Sequence, residues 1–160
     1  MSLALDLDLQ TATTAPNLPG QADFERWTAA ALAGRRTRAA LTIRVVNPAE
    51  GQALNLRFRG RDQVTNVLSF PFEAPPQLAG LDDGIDALLG DLVICAPVVQ
   101  REAQEQGKPT DAHWAHLVVH GVLHLLGYDH LAEDEAAAMA ALEKTILAGL
   151  GFPPPYQDDP

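Results

Sequence analysis

Only one cysteine, Cys95, stands among the 160 residues. No internal disulfide can form, and a thiolate-rich metal site is excluded, so any metal must rest on His, Asp or Glu. Long apolar runs are missing too. Apolar residues make up 47% of the chain, yet Arg, Asp, Gly or Pro interrupts every stretch before the roughly 18 residues of a membrane span. The chain is expected to be soluble. Met1 to Gln10 lacks a basic start and carries Asp6 and Asp8 among alternating leucines, unlike a secretory leader, so a cytoplasmic location is expected. Positive charge is the third scarcity. With 11 basic against 21 acidic residues and a net charge of -10, a protein that coats nucleic acid with its whole surface is excluded.

The charge is unevenly spread. Residues 1–61 hold eight basic and five acidic side chains, whereas residues 62–160 hold three and sixteen. A phosphate backbone can dock on the first part, although Arg35, Arg36 and Arg38 read equally well as a solvated helix end.

Alternating Leu3, Leu5, Leu7 and Leu9 predict a strand, and Leu41–Val46, Asn66–Phe72 and Leu88–Cys95 predict three more. Pro71 suits the third of these to a sheet edge. Helices are predicted from Asp23 to about Gly34, over Ala49–Phe58 after Pro48, and from Pro97 to Gln106. Two more are expected over Ala112–Leu126, capped by Asp111, and from about Glu133 to Leu150, with Ala136, Met139, Ala140, Leu142, Ile146 and Leu147 as an apolar face. Glu73–Asp86, with two prolines, two glycines and three aspartates, reads as a surface loop. The expected fold is α+β, a small mixed four-stranded sheet packed with about five helices and a metal site on the long central one. One domain is expected over residues 1–152, with a disordered tail over 153–160.

All five histidines lie between positions 113 and 130. His120 and His124 are four apart in a helical pattern, so both rings can reach a single ion. Gly127 allows the chain to turn back and bring His130 to the same ion. Three imidazoles and a water make an open catalytic zinc site, one ion per chain, whereas structural zinc normally takes four protein ligands. His116 is a rival ligand, but it lies eight residues from His124, roughly 12 Å along a helix, too far for both to share an ion. His113 and His116 are therefore read as rim residues or as partners on the helix surface.

The spacing H-x-x-x-H-x-x-G-x-x-H resembles that of metzincin peptidases, but Gly121 stands where those enzymes carry their general-base glutamate. The full run His120-Gly121-Val122-Leu123-His124-Leu125-Leu126-Gly127-Tyr128-Asp129-His130 is similar to the signature of the YbeY family of bacterial endoribonucleases. So are Arg59-Gly60-Arg61-Asp62, the stretch Thr65–Glu73, Leu89–Ile94 and Glu102–Gly107, and the resemblance runs from about Leu41 to Phe152. It implies zinc on His120, His124 and His130, and cleavage of single-stranded RNA. The implied task is 16S rRNA 3′-end maturation and ribosome quality control. The implied partners are small-subunit rRNA, a small-subunit ribosomal protein and a ribosome-associated GTPase, with no DNA and no membrane. Arg59 occupies the family's functionally important arginine position, so the implied catalytic set is Arg59, His120, His124 and His130.

Zinc can activate water and polarise a phosphoryl oxygen, and a guanidinium at Arg59 can grip two phosphate oxygens as charge develops. Without the resemblance, a surface pair between Arg59 and Asp62 is the simpler reading. The general base stays open: Asp129 fits better as an acceptor that orients an imidazole, and the RNA 2′-hydroxyl is another candidate nucleophile. Asn66, Ser69 and Asp91 either pair within the sheet or face the cleft. Tyr128 either stacks a base or packs on the last helix, Phe70 and Phe72 read as core, and Cys95 as a buried thiol. Two competing functions are a ribosome-assembly factor with a mainly structural zinc and, less well supported, a metallopeptidase.

Overall fold

The computed structural model describes residues 3–72, 87–128 and 133–153. The expected loop over Glu73–Asp86, the residues Asp129 and His130, and nearly all of the expected tail lie outside these residues. Four strands and five helices follow in the order β1 (Ala4–Ala12), α1 (Gln21–Leu32), β2 (Arg38–Val46), α2 (Pro48–Arg59), β3 (Val67–Pro71), β4 (Leu88–Cys95), α3 (Ala96–Gln106), α4 (Thr110–Leu125) and α5 (Glu133–Gly149). The α+β expectation holds. The sheet order is β1-β2-β4-β3, with β1, β2 and β4 parallel and β3 antiparallel to β4.

Helix starts differ from expectation in two places. Helix α1 begins at Gln21, because Asp23 sits inside the first turn and its carboxylate accepts the Gly20 N–H at 3.0 Å. Helix α4 begins at Thr110 with Pro109 as its cap residue, and Asp111 is not the cap: its carboxylate accepts the N–H of its neighbour Ala112 at 2.9 Å. Both aspartates still place negative charge at the positive end of a helix dipole.

Alternation along the strands separates two apolar layers. On one face Leu7, Leu41, Ile43, Val45, Leu92 and Ile94 pack with Trp27, Trp114, Val118, Leu123, Met139 and Leu147 from α1, α4 and α5. On the other, Val46, Leu68, Val93 and Cys95 meet Val98 of α3 and Leu54 of α2. Cys95 is buried as expected, and loss of hydration pushes its thiol pKa up. Phe24 packs edge-on against Trp27 and Trp114 at 5.7 and 5.8 Å, joining α1 to α4. Helix α4 buries eleven of its sixteen residues, so it is the central element whose orientation the core dictates.

Gly90 interrupts β4 for a steric reason. Its φ is +133°, and a Cβ there would lie 2.1 Å from the Phe70 carbonyl oxygen. The close crossing of β3 and β4 therefore requires glycine. Gly90→Ala is expected to lower the unfolding free energy by about 3 kcal/mol, and a urea titration matching the wild type would contradict that steric account.

Candidate metal centre and the arginine beside it

Spacings of three, four and four residues place His113, His116, His120 and His124 on one stripe of α4. Successive ring centroids are 6.3, 6.2 and 4.7 Å apart. The last pair is the closest, and its two Nε2 atoms are 3.2 Å apart. Two nitrogens about 2.1 Å from one tetrahedral zinc are roughly 3.4 Å apart, so the pair fits common ligation of one ion.

Behind this pair stands Glu143 of α5, which is 1% exposed. The His116 Nε2–H donates to its Oε1 at 2.7 Å and the His120 Nδ1–H to its Oε2 at 3.4 Å. With Nδ1 held by a carboxylate, His120 directs the lone pair of Nε2 toward His124, the tautomer needed for metal binding. Burial alone would push the Glu143 carboxyl up, but hydrogen bonds and positive charge from the two histidines outweigh it and bring its pKa to about 2. The carboxylate is therefore charged and acceptor-only. His116, His120 and Glu143 also bring ligand atoms within 4.8 Å of one another, so this cluster can hold a metal.

His113 does not sit at a rim. It is buried, and its Nε2 lies 3.0 Å from the Glu102 carboxylate of α3, which also accepts the Asn66 Nδ2–H at 3.0 Å. Asn66, just before β3, thus pairs neither within the sheet nor toward a cleft but with α3. His116, partly exposed, meets Glu143 of α5 across the helix surface, as the partner reading expects.

Gly121 rests on the sheet between the two metal-facing histidines. A Cβ at this position would approach Leu92 Cδ2 at 2.8 Å, so a larger side chain would have to displace the core of the sheet. Leu92 lies opposite Ser69 in the β3–β4 register, and the Ser69 carbonyl accepts a hydrogen bond from the Arg59 guanidinium. Arg59 is thus tied to β3, the strand that pairs with β4 where Leu92 meets α4. Arg59 does not pair with Asp62, whose carboxylate accepts from Gln52 at 2.8 Å instead.

The loop after α2 is held by Asn55, a buried side chain that donates to the Gln63 carbonyl at 2.9 Å. Gly60, with φ of +69°, ends α2 immediately after Arg59. On the opposite face of the sheet from Leu92, a depression of ≈ 380 Å³ is lined by Asp6, Asp8 and Asp91 together with Thr42, Phe72 and Leu88. Phe70 also lines it, and Arg59 lies over that ring, so the three carboxylates share a face of the sheet with the arginines at the end of α2.

A family model described as Endoribonuclease YbeY matches residues 10–151. The chain belongs to the Endoribonuclease YbeY family. It is 62% identical to the Endoribonuclease YbeY of Alkalilimnicola ehrlichii, covering 98% of this chain and 93% of that one. It is 56% identical to that of Pseudomonas entomophila, covering 97% and 95%. The solution structure of TM1509 from Thermotoga maritima shares the fold, with a TM-score of 0.58 at 21% identity over 98% of this chain and 97% of that one. As a YbeY-family member the chain is a nuclease by class, and the cluster on α4 and α5 is where it can hold a metal.

Of the four expected site residues, the YbeY-family fold brings His120 and His124 together and anchors Arg59 beside β3. His130 lies outside the described residues. Glu143 was not among the expected site residues, yet the sequence contains its signal: it is a charged residue within the stripe that Met139, Ile146 and Leu147 form on α5, where a partner is required.

Burial lowers the His113 pKa below the ordinary 6.5, against the opposing pull of Glu102. The unfolded chain therefore takes up a proton that the folded ring refuses. This ring's contribution to stability is complete above pH 6.5 and is lost as pH falls below it toward the lowered value. His113→Gln is expected to flatten the dependence of unfolding free energy on pH across that value, and identical slopes for variant and wild type would contradict it.

Proposed function

We propose that this chain is a zinc-dependent endoribonuclease that cleaves single-stranded RNA, with zinc on His120, His124 and His130 and with Arg59 contacting the phosphodiester. The observation that carries the reading is the His120–His124 pair, 3.2 Å apart at Nε2, with Glu143 behind His120. Family membership supplies the class of substrate. Zinc held by this pair would supply Lewis acidity beside a phosphoryl oxygen.

The chain's own groups account for the rest. Arg59 spends one N–H on the Ser69 carbonyl, which fixes the plane of the guanidinium and leaves its other donors for phosphate oxygens. A donor already oriented toward developing negative charge needs no reorganisation when that charge appears. Glu143 keeps His120 in one tautomer and ring orientation. A peptidase reading loses support, because position 121 faces Leu92 and offers no place for a general base.

In the cell we place this activity in the cytoplasm, in 16S rRNA 3′-end maturation and ribosome quality control. Small-subunit rRNA, a small-subunit ribosomal protein and a ribosome-associated GTPase are the partners, and residues 1–152 act as one domain. The resemblance in the α4 motif and in the segments around Arg59 supports that assignment.

His124→Ala and Arg59→Ala are each expected to slow cleavage of a labelled single-stranded RNA by about a hundredfold or more while remaining folded. Equal cleavage by both variants and the zinc-loaded wild type, all purified identically, would assign the activity to a contaminant and favour an assembly factor with structural zinc. Glu143→Gln keeps the size of the side chain but removes its charge. It is expected to weaken zinc binding about tenfold to a hundredfold in competition with a chromophoric chelator, and unchanged affinity would remove Glu143 from the site.

A further inference from the structure

The end of α2 presents a row of alternating cations and rings, of which the cleavage chemistry uses only Arg59. The Arg57 guanidinium carbon lies 5.2 Å from the centre of the Phe58 ring, Phe58 meets Phe70 edge-on at 5.5 Å, and the Arg59 carbon lies 5.6 Å from the Phe70 ring. Phe58 is 56% exposed. A single exposed aromatic is ordinary on a protein surface. This one is flanked by cations without acidic partners among the described residues. Arg26, Arg44 and Arg101 lie against Asp23, Glu50 and Glu105, whereas among the described residues no carboxylate pairs with Arg57, Arg59 or Arg61. In a chain of net charge -10, Arg57 over this ring and Arg59 over Phe70, unpaired with any carboxylate among the described residues, form a local surface complementary to a polyanion with flat bases.

We propose that Phe58 is a base-stacking platform for single-stranded RNA, with Arg57 and Arg61 contacting the flanking phosphates and guiding the strand toward Arg59. The inference rests on the ribonuclease reading for its ligand and adds a binding subsite to it. The occupant is a nucleotide next to the bond being cut. Arg59 reaches Ser69, and Ser69 lies opposite Leu92, on which Gly121 rests between the two histidines. A strand stacked on Phe58 therefore lies beside Arg59, whose anchor on β3 borders the strand that supports α4. A duplex keeps its bases stacked on one another and cannot offer one to the ring, so the platform selects for single strands.

The test is binding of a single-stranded 2′-O-methyl RNA carrying 2-aminopurine, followed by its fluorescence, to zinc-loaded wild type, Phe58→Ala, Phe58→Leu and Phe58→Tyr. Thermal melts establish that all four are folded. Stacking predicts quenching on binding to wild type and Phe58→Tyr. It also predicts about tenfold weaker affinity and loss of quenching in Phe58→Ala and Phe58→Leu. Affinity and quenching unchanged in Phe58→Ala would overturn the platform, as would an equal loss of affinity for a duplex of the same sequence. Cleavage of unmodified RNA, measured in parallel, separates the two readings. Wild type that binds through Phe58 but does not cut would leave the platform and remove the nuclease, whereas cutting with Phe58-independent binding would do the reverse.

Discussion

The contact between Gly121 and Leu92 sets the position of everything that bears on chemistry. A helix can approach a sheet this closely only where it has no side chain to insert, and the space that a Cβ would need is already filled by a leucine. Once α4 is seated there, His120 and His124 project one turn apart from one flank of the helix, and Glu143 of α5 meets His120. Leu92 also belongs to the strand pair that carries Ser69. The same strand pair thus supports the helix that carries the imidazoles and offers the carbonyl that ties the arginine.

Charges of both signs gather on the face of the sheet that α2 covers: Asp6, Asp8 and Asp91 line a depression that Phe70 borders, and Arg57 and Arg59 lie in the last turn of α2. Net charge alone would place this chain among proteins that avoid nucleic acid. The arginines at the end of α2 interrupt that acidity locally. The Arg35 and Arg36 pair is spent differently: their guanidinium groups donate to the carbonyls of Ala31, Ala33 and Arg35 at the end of α1, where they complement the dipole.

Much of this was legible in the residues. Each of the nine elements was expected, because apolar periodicity, Pro at helix starts and Gly at helix ends all mark local structure that needs no partner to form. The convergence of His120 and His124 followed from helical spacing. What the sequence left open was decided by contacts between distant elements. Arg59 was offered a neighbour at Asp62 by proximity, but its partner is a backbone carbonyl on another strand. His113 looked like a surface group until Glu102, brought over on α3, allowed it to be buried. Glu143 escaped notice because an apolar helix face describes what packs and says little about the one charge packed with it. Helix starts shifted by a few residues at Gln21 and Thr110, since aspartates serve the first turn as readily as the cap.

The strand order has a consequence for assembly. Strand β4 occupies an interior position between β2 and β3, although β3 precedes it in the chain. Until residues 88–95 are in place, β2 has an open edge and β3 has no strand to border. The sheet therefore cannot close by adding strands in the order of synthesis. Its late central insertion raises the sequence separation of the contacts that complete the core, which slows folding and lengthens the time that β2 spends as an unprotected edge.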